Sequence, residues 1–441
     1  MSRAAPSTFL GRLRHLGPGV LVAGSIVGSG ELILTSSLGA AVGFGLLWFL
    51  LLACWSKSIV QAELAKICIV RDKTYLNAFN HVPGTLPGKH KRASWIIWLL
   101  LLTTMISALG AGGILGGTAQ AMSLIVPGVS NTIAAVSIAI VTSMILGSGS
   151  YRLLETLLLV LVSTFTVITV YCSTALQFTE YAMSVSEIAN AQSVDFDIIY
   201  LSLALAVFGY TGVNSQETVA YSYFCLDKGY GRNIGDSTTP DRLARAQGWL
   251  RVLRTDVWLT LILLTLATVP FYLLGAAVLH KMGTVPDNST MIAVLSAMYS
   301  EVLGSWAKDL FLVAAFMVLF STVLSALGGL SRLLPDYLIE TGMVRDDAAL
   351  RQKLIRGFGY FWPFYILILY LTFERPLLLI IIGGINTALT GPILILGILY
   401  LEKKLLPAEL RPGVPAKIFL YLALVLVTVV SAATLYFSFQ N

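Results

Sequence analysis

Long apolar runs follow one another along most of this chain, separated by short polar connections. Each is about as long as the helix needed to cross the hydrocarbon core of a bilayer. Eleven can be placed, near 18–43, 44–70, 94–123, 132–148, 153–178, 198–225, 249–279, 304–331, 356–373, 376–401 and 415–438. With no water at that depth, every backbone group must be paired within its own segment, so each run is read as α-helix. Two runs are interrupted. The first contains Gly28-Ser29-Gly30-Glu31 and the sixth contains Gly212-Val213-Asn214-Ser215-Gln216-Glu217. Both interruptions combine glycine with Ser-x-Glu, and both put a carboxylate where a charge costs about 2–3 kcal/mol or more. The predicted fold class is an all-α polytopic membrane protein of about eleven transmembrane helices, with spans 1 and 6 broken. It forms one domain over residues 1–441.

The two breaks are five spans apart. A five-helix unit has an odd number of crossings, so its second copy enters the membrane inverted. This predicts a LeuT-type repeat, 18–178 and 198–401, with 415–438 added outside it. In that arrangement substrate binds near the bilayer midplane, where the broken helices meet. The candidate binding residues are therefore Gly28, Ser29, Gly30 and Glu31 on span 1, and Tyr210, Asn214, Ser215, Gln216 and Glu217 on span 6. Gln120, Asn386 and Thr390 are further mid-span polar groups that fit either ligand contact or interhelical hydrogen bonding. Plainer readings stand beside these. Ser29 and Ser215 also suit helix N-caps, with Glu31 and Glu217 as first-turn acids. Gly110, Gly112, Gly113, Gly116 and Gly117 suit a helix-packing surface. Glu63 and Lys66, three apart, suit a structural ion pair. Lys57 lies deeper in the same span and is less easily dismissed.

Composition agrees with the membrane reading. Of the 441 residues 56% are hydrophobic and 12% charged, against about 25% charged in a soluble domain. All but five of the 29 Lys and Arg fall on one side of the predicted topology. The exceptions are Lys281, Lys308 and Arg375 on the other side, and Lys57 and Lys66 within span 2. The asymmetry predicts a cytoplasmic N-terminus and an extracytoplasmic C-terminus, in what is expected to be a bacterial inner membrane. The net charge of +6 is thus a topology signal and does not indicate nucleic acid. Cys54, Cys68, Cys172 and Cys225 lie in or at the ends of apolar spans, which argues against a disulfide framework. The first run lacks a cleavage site and leads directly into a second span, so no cleavable signal peptide is expected. There is no nucleophile elbow, zinc-ligand helix or nucleotide loop, so the chain is not read as an enzyme or an ATP-driven pump. No cofactor or resident metal is expected, and a monomer in the lipid bilayer is the expected unit.

Several segments resemble the NRAMP family in order and spacing. They are Gly17-Pro18-Gly19 with the following break, Gln61-Ala62-Glu63-Leu64-Ala65 in span 2, Ser321-Thr322-Val323-Leu324-Ser325 in span 8, and Thr390-Gly391-Pro392 in span 10. The resemblance implies a LeuT-type secondary transporter in which spans 1, 2, 6 and 7 rock against the rest. The chain also departs from the family's metal-site pattern. Gly28-Ser29-Gly30-Glu31 stands where the family has Asp-Pro-Gly-Asn, and the Met-Pro-His triplet of the sixth helix aligns with Val213-Asn214-Ser215 or, one register on, Asn214-Ser215-Gln216. Trp95 to Met122 contains no charged residue, although the family's third helix does.

Transition metals favour imidazole and sulfur alongside carboxylate, and these breaks offer neither. Glu31 at a helix start also repels anions. The leading expectation is therefore proton-coupled import of a small polar solute, sugar-like or a polyol, with Glu31 and Glu217 as proton carriers and Tyr210 as a stacking face. The alternatives are a hard divalent cation (Mg²⁺ or Mn²⁺), which accepts oxygen ligands, and an organic cation, amino acid or sensed ligand. If sodium replaced the proton, Ser321, Thr322 and Ser325 would be the first candidate ligands.

Overall fold

Apolar runs become helices because only a closed backbone survives in hydrocarbon. In the computed structural model, which describes residues 4–6, 8–13, 18, 19, 28, 30–148, 152–191, 198–236 and 238–438, they do so in the expected order. The first span enters through a π-helical turn, Gly30–Thr35, into α1 (Ser36–Val42). Then come α2 (Leu47–Arg71), α3 (Trp95–Ile125), α4 (Asn131–Ser148) and α5 (Arg152–Ala175). The sixth span is split into α6 (Leu201–Tyr210) and α7 (Ser215–Asp227). It is followed by α8 (Arg242–Leu274), α9 (Met291–Leu303) and α10 (Trp306–Glu340). The last three are α11 (Ala348–Phe373), α12 (Pro376–Leu405) and α13 (Val414–Ser438). Among the described residues, eight helices are long and apolar enough to cross a membrane; Gly30–Val42 of span 1 and the two parts of span 6 are shorter.

Two features were not anticipated from hydropathy. Helix α9 lies in a stretch read as a loop. Its 13 residues are too few to span, yet Met291, Ile292, Leu295, Met298 and Tyr299 are buried against the bundle. A small antiparallel hairpin, Thr85–Pro87 with Arg92–Ser94, joins α2 to α3. Several helices also outrun their apolar windows. The window 304–331 gives way to a helix that runs on to Glu340, because a helix continues into the polar region where hydropathy no longer marks it.

The glycine-rich face of α3 is a packing surface. Gly113 lies against the Pro376 carbonyl, and Gly116 against Tyr370 and Pro376. Gly209 on α6 sits on the carbonyl of Gly384 on α12. Small residues let helices approach closely where apolar burial gives no driving force. The break in span 6 needs glycine for a different reason. Gly212 has φ +71°, and a Cβ there would come within 3.0 Å of Cys54 Cα. That left-handed backbone suits only a residue without a side chain. The four cysteines are free and buried.

Candidate substrate site

The two breaks meet. A Cβ on Gly30 would sit 3.3 Å from the Tyr210 carbonyl, and the Thr35 and Thr211 hydroxyls lie 3.1 Å apart. Helix α7 starts at an N-cap, which is Asn214 rather than the Ser215 weighed for that role. The Asn214 backbone is extended, and its side-chain oxygen accepts from the N–H groups of Gln216 at 2.8 Å and Glu217 at 3.1 Å. Ser215 is already helical, and its hydroxyl donates to the Thr387 carbonyl on α12 at 3.2 Å. Ser29 lies outside the described residues.

A cavity opens beside this junction. Gly30, Tyr210, Asn214, Gln216 and Glu217 form one side, and Ser107 and Ala111 of α3 with Thr322 of α10 form the other. Its volume is about 40 Å³, where one water needs roughly 10–15 Å³ on the same measure. One Glu217 carboxylate oxygen is buried with no hydrogen-bond partner. A second cavity of about 30 Å³ shares Ser107 and Gln216 as walls and also includes Ser215 and Thr390. Tyr75, Thr104 and Tyr337 also line it; the two tyrosine hydroxyls are 2.5 Å apart, with the Thr104 hydroxyl 3.2 Å from Tyr337.

Glu31 is placed differently. It is fully buried, and its neighbour Gly30, not Glu31 itself, forms the cavity wall. One carboxylate oxygen accepts from Thr268 on α8 at 3.3 Å, and the other has no partner. Cys54 packs beside it against Thr268. Lys57 approaches from α2. Its ammonium donates to the carbonyls of Gly209 at 3.0 Å and Thr211 at 2.5 Å, lies 5.2 Å from the centre of the Phe208 ring, and interacts electrostatically with both Glu31 and Glu217. The depth of Lys57 is legible in the sequence, its target is not; Thr268 and Cys54 carry no local signal of a place beside Glu31.

The remaining candidates brace the structure. Gln120 donates to the Asn288 carbonyl at 2.6 Å and accepts from the N–H of Ile292 at 3.5 Å, pinning α9 away from both cavities. Asn386 donates to the Thr103 carbonyl and the Ser107 hydroxyl, each at 2.8 Å. It thereby positions a cavity-wall residue without forming the wall. Thr390 bonds back to the Asn386 carbonyl. Gly28 packs against the Thr322 hydroxyl, which itself donates to Val318 of its own helix. Ser325 is exposed, so the three span-8 hydroxyls do not converge. Glu63 and Lys66 form a buried ion pair, with Glu402 of α12 beside them. Among the described residues, no three His, Cys, Asp or Glu side chains group as a metal centre.

Residues 19–437 match the natural resistance-associated macrophage protein-like family. The chain belongs to that family. A curated relative, an uncharacterized protein of Pasteurella multocida (strain Pm70), is 25% identical over 328 residues, covering 74% of this chain and 71% of the relative. Among solved structures, a mutant of the Eremococcus coleocola manganese transporter superposes with a TM-score of 0.66 at 15% identity, over 96% of this chain and 86% of that one. Mhp1, a nucleobase-cation-symport-1 family transporter in a closed conformation with bromovinylhydantoin bound, gives 0.58 at 14% identity, over 98% and 94%. At these identities the likeness carries the fold. This Nramp-like chain is thus an integral membrane transporter of LeuT-type architecture, with its broken spans where that architecture places them.

Proposed function

We propose that this Nramp-like transporter carries a hard divalent cation, Mg²⁺ or Mn²⁺, in place of the sugar-like solute favoured on sequence grounds. One observation carries the reading. An unpartnered Glu217 oxygen lies in the wall of a cavity with room for about three waters, among hydroxyl, amide and carbonyl groups. That volume suits a metal ion retaining part of its water shell. The polar side chains of the wall offer oxygen or amide donors only. This suits hard cations and lacks the imidazole and thioether that favour later transition metals. Glu217, Asn214 and Gln216 are the proposed direct or water-mediated ligands, with Tyr210 and Thr322 closing the cavity. The fold shared with a manganese transporter points the same way.

We assign a coupling proton to Glu31 or Glu217, bound together with the cation on the inward step and released with it, giving proton-coupled import with the Lys/Arg-rich end cytoplasmic. Proteoliposomes holding a metal-sensitive dye test the reading. Saturable Mg²⁺ or Mn²⁺ entry, driven by an acidic exterior and collapsed by a protonophore, is expected. No divalent entry, with uptake of a labelled polyol or amine instead, would overturn it.

A further inference from the structure

The lysine behind the cavity has a role that the substrate reading does not supply. The last carbonyls of a helix have no intrahelical partner. In LeuT-type carriers such half-helix ends, with the unwound carbonyls beyond them, are where a coupling cation is held. Here Gly209 is in the last turn of α6 and Thr211 follows its end. Both carbonyls are taken by the Lys57 ammonium, at 3.0 and 2.5 Å. That ammonium also lies within electrostatic range of Glu31 and Glu217, which approach from the other elements of the junction.

We propose that Lys57 is a tethered cation, which fills the helix-end cation position of span 6 and neutralises one of the two junction carboxylates in the unloaded carrier. The charge consequences follow directly. With both carboxylates ionised, the unloaded junction carries one net negative charge, and the divalent-loaded junction, before the coupling proton is counted, one net positive charge. Without Lys57 the loaded junction becomes neutral, but the unloaded one carries two negative charges. Moving two uncompensated buried carboxylates through the transport cycle is strongly disfavoured. Lys57 therefore serves the return of the empty carrier and leaves the loaded step largely independent of it.

The transport arm of the test rests on the divalent-cation reading; the stability arm does not. Wild type, Lys57→Met and Lys57→Arg are reconstituted and assayed for net Mn²⁺ entry into empty liposomes and for Mn²⁺ exchange into Mn²⁺-loaded liposomes. Lys57→Met is expected to lose tenfold or more of net entry while keeping at least a fifth of exchange, and Lys57→Arg to recover net entry. Equal loss of both modes, or unchanged net entry, would overturn the proposal. The second arm is metal-free thermal unfolding in detergent. Lys57→Met should lower the midpoint, and adding Glu217→Gln or Glu31→Gln should restore at least half of the loss by removing the stranded charge. If neither restores it, Lys57 is not the counter-charge and the proposal falls. Restored stability in a protein whose wild type moves no divalent cation would uphold the lysine assignment while sinking the substrate reading.

Discussion

The two broken spans carry the same Ser-x-Glu signature and use it differently. In span 6 the chain stops at Tyr210, turns through Gly212 and restarts under an Asn214 cap, which leaves Glu217 in the wall of the central cavity. In span 1 the chain passes through a π turn, and Glu31 is fully buried against Thr268, with only Gly30 forming the cavity wall. Half-helices that look alike in sequence thus place one carboxylate in a cavity wall and the other among packed side chains. The fold brings the breaks together; the local backbone decides which acid meets solvent-sized space. π turns recur at functional sites, and here the turn carries a glutamate that does not line the cavity.

The comparison can be broken most directly at the carboxylates. Glu217→Gln should weaken the apparent affinity for the transported cation by on the order of 100-fold, the loss expected for a charged hydrogen-bonding partner in a buried site. Metal-dependent uptake at graded concentrations measures this. Glu31→Gln should instead cut maximal net uptake by about tenfold while shifting half-saturation by less than about threefold, because an acid behind the wall acts on the cycle more than on binding. If the two variants behaved alike, the proposed division of labour would be wrong.

Backbone changes sharpen the contrast at smaller scale. Gly212→Ala forces a side chain into a left-handed position and should cost about 1–2 kcal/mol, seen as a lower unfolding midpoint in detergent. An unchanged midpoint would mean that the break relaxes. The smallest effect concerns the hydroxyl pair joining the breaks. Thr35→Val and Thr211→Val should each cost about 1 kcal/mol, and the double variant little more than either alone, since one hydrogen bond is lost in all three. Additive losses would show that the hydroxyls act separately.

Much of the fold was legible because hydropathy and backbone satisfaction leave few choices in a membrane. The expected runs from 44–70 to 415–438 reappear as helices, and glycine with Ser-x-Glu marked both breaks. The short helix α9 was not legible, since 13 residues that neither span nor alternate clearly give no pattern to read. Gln120 and Asn386 looked like cavity groups because mid-span polarity is the same signal whether a side chain faces a ligand or a neighbouring helix.

The sequence alone therefore determined the class of structure, the position of its two breaks and the presence there of two acids, because each follows from a local cost of putting polarity or glycine in an apolar run. Only the tertiary structure decided that Glu217 meets the cavity while Glu31 turns toward Thr268, and that Lys57 of α2 spends its charge on carbonyls of span 6. Those outcomes depend on helices far apart in sequence closing on one another at fixed rotation. No residue-by-residue pattern records that rotation.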